Sequence, residues 1–315
     1  MASAAALTLL LPPVARLVED GEASGALGRA LARADELPRA APGREARLRA
    51  WFDTGREPLV AAPLTRWLDA SDASEGRWLR ADPAHVAADL ATARLLACGG
   101  LGVTDEERIG FERALKPLFG DAGLEFSAPH PDRWYLRMRS GAELPECSPP
   151  EQALGADLAA HLPRGLAGQR FQRLMNEAQM LLHQHPANTR RAERDAPSVN
   201  SVWFWGGGEL PKRVAGGFKL VASVDPVVAA LARLAGASHV GVRRYAELPE
   251  ASGAILADVQ ELRARDVMAD WLEPARAALG AGRLAAIEVA VPDGRGFRLE
   301  HAQRWRVWRR ARALS

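Results

Sequence analysis

Hydrophobic and polar positions follow two different periods along this chain, and the changes from one to the other mark its elements. The stretch "LTLLL" at residues 7–11, ended by Pro12 and Pro13, is apolar toward both faces and predicts a buried first strand. "GALGRALARADEL" and "GREARLRAWFD" carry apolar residues at helical spacing, are separated by "PRAAPG", and predict two surface helices. "RWLRADP" suits a strand and its turn. "TDEERIGFERALKPLFGDAG" opens with Thr104 in the N-cap position and acids in the first turn, which predicts a helix. "LEFSA" and "RWYLRMR" read as paired strands around "PHPD".

The second half alternates more regularly. "GQRFQRLMNEAQMLLHQHP" is an amphipathic helix stopped by Pro186, and "SVNSVWFW" is a strand with Trp203 and Trp205 on one face. "DPVVAALARLAG" is a helix with Asp225 as N-cap and Pro226 at its first position. A strand "SGAILADV", a helix "ARDVMADWLEPARAALGAG" and strands around the turn "PDGRG" complete the series. This alternation predicts an α/β fold with a mixed, largely parallel sheet flanked by helices and an antiparallel edge. The turn-rich "SGAELPECSPPEQALG" predicts a boundary near residue 145, between lobes 1–145 and 146–315 of one compact unit.

Composition narrows the function classes. The 315 residues suit one large domain or two modest ones with a substantial core. Lys and Arg number 41 against 39 Asp and Glu, so a net charge of +2 supplies no broad field for nucleic acid or anionic lipid. The basic tail "RWRVWRRARALS" reads as a last packed element. Cys98 and Cys147 form neither a disulfide framework nor a metal pair, which points to a cytoplasmic protein. The opening segment lacks a basic leader region, and no stretch reaches membrane-spanning length.

No dinucleotide, Walker, zinc-protease or nucleophile-elbow motif is present. Chemistry-bearing residues concentrate instead in "NEAQMLLHQHPANTRRAERDAPSVNSVWFWGGGELPK", residues 176–212. Asn176, His185, Asn188, Arg191 and Asn200, followed by Gly206, Gly207, Gly208 and Lys212, suit a carboxylate or phosphate ligand. A guanidinium can grip either group through two hydrogen bonds, and successive glycine amides can form an anion nest. The same residues also fit an architectural role. His185 before Pro186 can end a helix, Asn188 and Asn200 can brace turns, and glycines admit a close neighbouring helix.

"LMNEAQMLLHQHPANTRR" and "VNSVWFWGGGELP" resemble a proteobacterial family of phosphoglycerate mutase-like proteins, also described as RpfE-type regulatory proteins. The resemblance extends to "RADPAHV", "RWYLR" and "RWRVWRR". Over residues 174–236 the layout is also similar to the archaeal-type cofactor-independent phosphoglycerate mutases of the alkaline phosphatase superfamily. The resemblance implies a degenerate alkaline phosphatase-like core and carries the ligand pocket onto Asn176, His185, Asn188, Arg191, Asn200 and the glycines. Those enzymes use two metal ions and a phosphorylated serine. The first strand here ends without an aspartate, and no Asp and His run follows "SGAILADV", so the resemblance implies a binding protein without cofactor or catalytic residue.

Three readings follow for the chain. In the first it is a cytoplasmic regulatory protein that binds a small anionic metabolite. In the second it is a mutase or phosphatase with an atypical Mn or Zn site built on His239, Asp258 and Asp266. In the third it is a protein interaction module that works through Trp271 or the basic tail.

Overall fold

The computed structural model describes residues 5–88, 92–139 and 141–306. The chain opens with β1 Ala5–Leu10, α1 Val14–Val18, α2 Gly21–Leu31, β2 Asp35–Leu37, α3 Arg44–Trp51 and β3 Phe52–Asp53. It continues through α4 Ala61–Asp69, β4 Arg77–Ala88, β5 Ala93–Cys98, α5 Asp105–Asp121, β6 Glu125–His130, β7 Arg133–Met138, α6 Pro150–Ala153, α7 Gly168–His183, α8 Pro186–Ala192 and β8 Ser201–Gly208. It closes with β9 Ala215–Gly216, β10 Leu220–Ala222, α9 Pro226–Leu234, β11 Ser238–Val240, β12 Ala254–Asp258, α10 Ala264–Asp266, a π-turn at Val267–Leu272, α11 Glu273–Gly280, β13 Leu284–Ala290 and β14 Gly296–Glu300.

These elements form two compact units. A terminal unit combines Met1–Leu59 with Lys212–Ser315, and an inserted unit is Val60–Pro211. The division differs from the lobes 1–145 and 146–315 expected from turn composition. The turn residues near 145 belong to a packed loop of the inserted unit. The Glu146 amide donates to the Arg164 carbonyl at 3.0 Å, the Arg164 amide returns the bond at 2.8 Å, and the Trp203 indole donates to the Ser148 carbonyl at 3.0 Å.

The terminal unit carries a seven-stranded sheet ordered β11-β10-β12-β1-β13-β14-β2. The strands from β11 to β13 are parallel, and β14 and β2 add antiparallel pairs. The fold is therefore mixed α/β with a largely parallel sheet flanked by helices. β1 has parallel partners on both edges, and Leu7, Leu9 and Leu10, which alternate between its two faces, are fully buried, as in a parallel sheet covered on both sides. Its core joins α2, the π-turn and α11 through Leu27, Leu31, Trp271, Leu272 and Ala278. Trp271, read from sequence as an interaction surface, is 1% exposed and donates its indole N–H to the Arg243 carbonyl at 2.6 Å. Residues 307–315 of the basic tail lie outside the described residues.

The inserted unit is built on β4, which pairs with β8 along one edge and with β7 and then β5 along the other. The strand runs five residues beyond the expected turn at Pro83. Its β7 register covers residues 77–80 and its β5 register covers 84–88, so the proline falls where one partner gives way to the next. The ladder tolerates a missing N–H at that point. Pro186 likewise does more than stop α7. It opens α8 at a position where its fixed φ suits a helix and its missing N–H is not needed.

Candidate functional site

The motif residues fall largely in the inserted unit, and most of their polar atoms bond to backbone. Asn188 donates from Nδ2 to the Leu182 and Val199 carbonyls at 2.7 and 2.9 Å, and its Oδ1 accepts from the Val199 amide at 2.9 Å. Asn200 does the same across to Val86, accepting from its amide at 2.8 Å and donating to its carbonyl at 2.7 Å. Each asparagine thus substitutes for a peptide group, Asn188 between the end of α7 and the segment before β8, and Asn200 beside β4. His185 caps α8 by accepting from the Ala187 amide at 3.2 Å, and its ring packs on Phe111 with centroids 4.7 Å apart. Burial pushes its pKa down against a hydrogen bond to the Gly110 backbone.

Arg191 is 0% exposed. Its Nε donates to the Pro197 carbonyl at 2.8 Å, one terminal nitrogen bonds the Leu101 carbonyl, and the other meets Glu107 Oε2 at 2.8 Å. Arg194 approaches the other oxygen of Glu107, also at 2.8 Å. Burial alone would raise the pKa of Glu107. The Thr104 amide and the two guanidiniums outweigh that effect and hold the carboxyl below its ordinary value. Arg191 is thus the centre of a closed network linking α5 to α8.

The glycines serve close packing. A Cβ on Gly206 would stand 2.9 Å from that of Ala61, one on Gly207 would stand 2.9 Å from Leu79 and Leu144, and one on Gly208 would stand 2.6 Å from Val60. Gly206 also has φ +64°, in the left-handed region. The glycines thus end strand β8, not a loop, and the space beside them is filled by aliphatic side chains. Asn176 is exposed on α7, and Lys212 is exposed in the terminal unit, where its amide donates to Glu57 Oε2 at 2.8 Å. Within the inserted unit, Asn188, Asn200 and Arg191 act as braces, His185 as a cap, and the glycines as a packing surface.

A different constellation stands at the carboxyl edge of the large sheet. From β10 the chain turns through α9 outward to β11, and from the adjacent β12 it crosses β1 through α10 and α11 to reach β13. Neighbouring strands whose connections leave in opposite directions define a topological switch point, the usual crevice for ligands in open α/β sheets. Ser223, Asp225 and Asp258 stand there. Asp258 has a side chain only 5% exposed. It accepts from Ser223 Oγ at 3.2 Å and from Gln260 Nε2 at 3.0 Å. Burial raises its pKa against the pull of Arg44. Arg44, in the first turn of α3, places one nitrogen 2.7 Å from Asp225 and 3.8 Å from Asp258. The other oxygen of Asp225 caps α9 through the amides of Val227 and Val228. His239 Nε2 bonds the Ser223 carbonyl at 2.8 Å, and burial lowers its pKa.

A pair of divalent ions would need several acids and imidazoles with lone pairs turned toward them. Among the described residues no group of three His, Cys, Asp or Glu side chains converges in that way. Asp225 and Asp258 are engaged by a helix cap, Gln260, Ser223 and Arg44, and Asp266 pairs with its neighbour Arg265 at 3.5 Å. The described residues therefore do not fit a two-metal centre. Sequence reading passed over Arg44 and Ser223 because nothing near either resembles a motif. The detectable signal was a polar residue immediately after a strand and an N-cap aspartate two residues later.

No protein-family model matches the chain. It is 32% identical over 139 residues to the 2,3-bisphosphoglycerate-independent phosphoglycerate mutase of Methanosarcina mazei, covering 41% of this chain and 34% of that protein. It is 28% identical over 159 residues to the probable enzyme of the same name from Geobacter sulfurreducens, covering 50% and 39%. The chain is distantly related to the cofactor-independent phosphoglycerate mutases. The similarity spans little more than a third of the length of those curated relatives. The solved cofactor-independent phosphoglycerate mutase of Thermoplasma acidophilum superposes with a TM-score of 0.42 at 15% identity, over 95% of this chain and 90% of that one.

Proposed function

We propose that this chain is a non-catalytic or weakly catalytic relative of the cofactor-independent phosphoglycerate mutases, acting as a cytoplasmic regulatory protein that binds a small phosphorylated or carboxylated ligand. The observation that carries the reading is the position of Arg44 against both Asp225 and Asp258. A guanidinium keeps its charge throughout the physiological pH range, so the carboxylates at the switch point already have a cation and little remains to recruit a metal. The regulatory role rests on the resemblance to RpfE-type proteins. The test is an assay of purified chain with Mn²⁺ or Zn²⁺ for interconversion of phosphoglycerates and for hydrolysis of a chromogenic phosphate ester. Turnover abolished by Asp258→Asn would overturn the reading. Absence of turnover, together with ligand-dependent thermal stabilisation by a phosphoglycerate, is the expected result.

One observation favours a second reading, a metal-dependent mutase or phosphatase with an atypical site. Asp258 and His239 both bond to Ser223, which brings two of the three residues proposed for such a site to one strand end. The same assay decides between the two.

A further inference from the structure

Beside the switch point the terminal unit has an open surface hollow of about 350 Å³ lined by Arg16, Glu19, Asp20, Gly21, Arg263 and Arg265, of which the three arginines are exposed. Arg16 lies on α1, directly after β1, and Arg263 and Arg265 lie at the start of α10, directly after β12. β1 and β12 are parallel neighbours, with Leu10 opposite Asp258, so the cavity lies over the carboxyl ends of two adjacent central strands. It is joined to the carboxylate cluster by hydrogen bonds. Arg16 donates to the Gln260 carbonyl at 3.0 Å, and Gln260 donates to Asp258.

The three guanidiniums are poorly neutralised. Among the described residues no ion pair joins any of them to Glu19 or Asp20, Arg265 reaches only Asp266 at 3.5 Å, and Arg263 has no side-chain partner. Asp20 is turned toward α2, where it accepts from the Ala23 amide at 3.1 Å. Guanidiniums gathered around one hollow leave it positive, and an oxyanion between them would accept charge-assisted hydrogen bonds. The volume is enough to seat a phosphate and a short carbon chain at the surface.

We propose that this cavity, and not the Asn188–Arg191 region, holds the anionic group of a small phosphorylated acid, with Arg263 and Arg265 gripping the phosphate. Glu19 at the rim accepts from hydroxyl groups of the same ester, which selects a hydroxylated molecule over bare phosphate. The inference rests on the ligand-binding reading given above and assigns it a place.

The test is calorimetric titration of the full chain at low ionic strength, with inorganic phosphate in one arm and 3-phosphoglycerate in the other. Wild type is expected to bind the ester more tightly than phosphate. Arg263→Ala should weaken binding about tenfold, the scale of one lost charge-assisted hydrogen bond, and Arg263→Glu should abolish it. Neither substitution should change the melting temperature, because Arg263 has no partner in the fold. Binding of the ester to Arg263→Glu with wild-type affinity places the anion elsewhere and overturns this inference while the ligand-binding reading stands. Equal affinity of wild type for the two probes removes the role given to Glu19. A wild-type chain that takes up neither probe at millimolar concentration overturns both the inference and the reading.

Discussion

Two arginines in this protein each lie against acidic side chains, and they do opposite work. Arg191 is sealed inside the inserted unit, where its donors meet carbonyls and Glu107. Arg44 stands partly exposed at a strand edge of the terminal unit, touching two aspartates that have other partners. The first comes from the part of the sequence most suggestive of ligand chemistry and is architectural. The second comes from an unremarked helix start and occupies the crevice where such sheets bind ligands. Residue types that suit an anion also suit a backbone carbonyl or a buried carboxylate. Their density along the sequence therefore does not by itself distinguish a pocket from a brace.

The largest effect that would test this contrast is Arg191→Ala. Removing the buried guanidinium leaves Glu107 with only Arg194 and the Thr104 amide, strips the Leu101 and Pro197 carbonyls of their donor, and costs about 3 to 5 kcal/mol, enough to unfold a marginal unit. Chemical denaturation should register the loss, and a variant as stable as wild type would return Arg191 to the list of ligand residues. Asn188→Ala comes next. It removes three backbone hydrogen bonds and should cost about 2 kcal/mol with no change in affinity for any phosphate ester. Weakened binding at unchanged stability would reverse that assignment.

The two carboxylates also predict opposite pH behaviour. Glu107 has a pKa below its unfolded value, so its contribution is present above about pH 4.3 and is lost as pH falls through the folded value. Asp258 has a raised pKa, so its contribution is present below about pH 3.9 and is lost as pH rises through the folded value. Melting curves across pH should therefore show Glu107→Gln losing stability at neutral pH and converging on wild type in acid. Asp258→Asn should match or exceed wild type at neutral pH. A neutral-pH loss in Asp258→Asn as large as that in Glu107→Gln would erase the distinction. The smallest effect is expected for Arg44→Ala. Its partly exposed ion pairs are worth under about 1 kcal/mol, and the clearer readout is a further rise in the Asp258 pKa followed by carboxyl NMR.

The sheet was legible in sequence where one local signal sufficed. "LTLLL" marks β1, Thr104 as N-cap with acids in the first turn marks the start of α5, and Asp225-Pro226 marks the start of α9. The division into units was not legible. It depends on which distant segments pair, and turn residues near 145 look the same in a linker as in a packed loop. The Arg44 cluster was hidden for a related reason. Arg44, Asp225 and Asp258 are far apart along the chain, and only strand order brings them together. Gly206 to Gly208 read in sequence as ligand-binding glycines or as points of close approach, and sequence does not say that the neighbouring groups are Val60, Ala61, Leu79 and Leu144.

The insertion of residues 60–211 into the terminal unit has a consequence for how the molecule is made. β1 is synthesised before the inserted unit, yet its two sheet neighbours, β12 and β13, emerge more than two hundred residues after it. Every strand partner within the sheet of the inserted unit has meanwhile been synthesised. Vectorial synthesis therefore favours completion of the inserted unit first, while an apolar strand with no partner on either edge waits for the rest of its sheet. An unpaired apolar strand is open to wrong pairing during that interval.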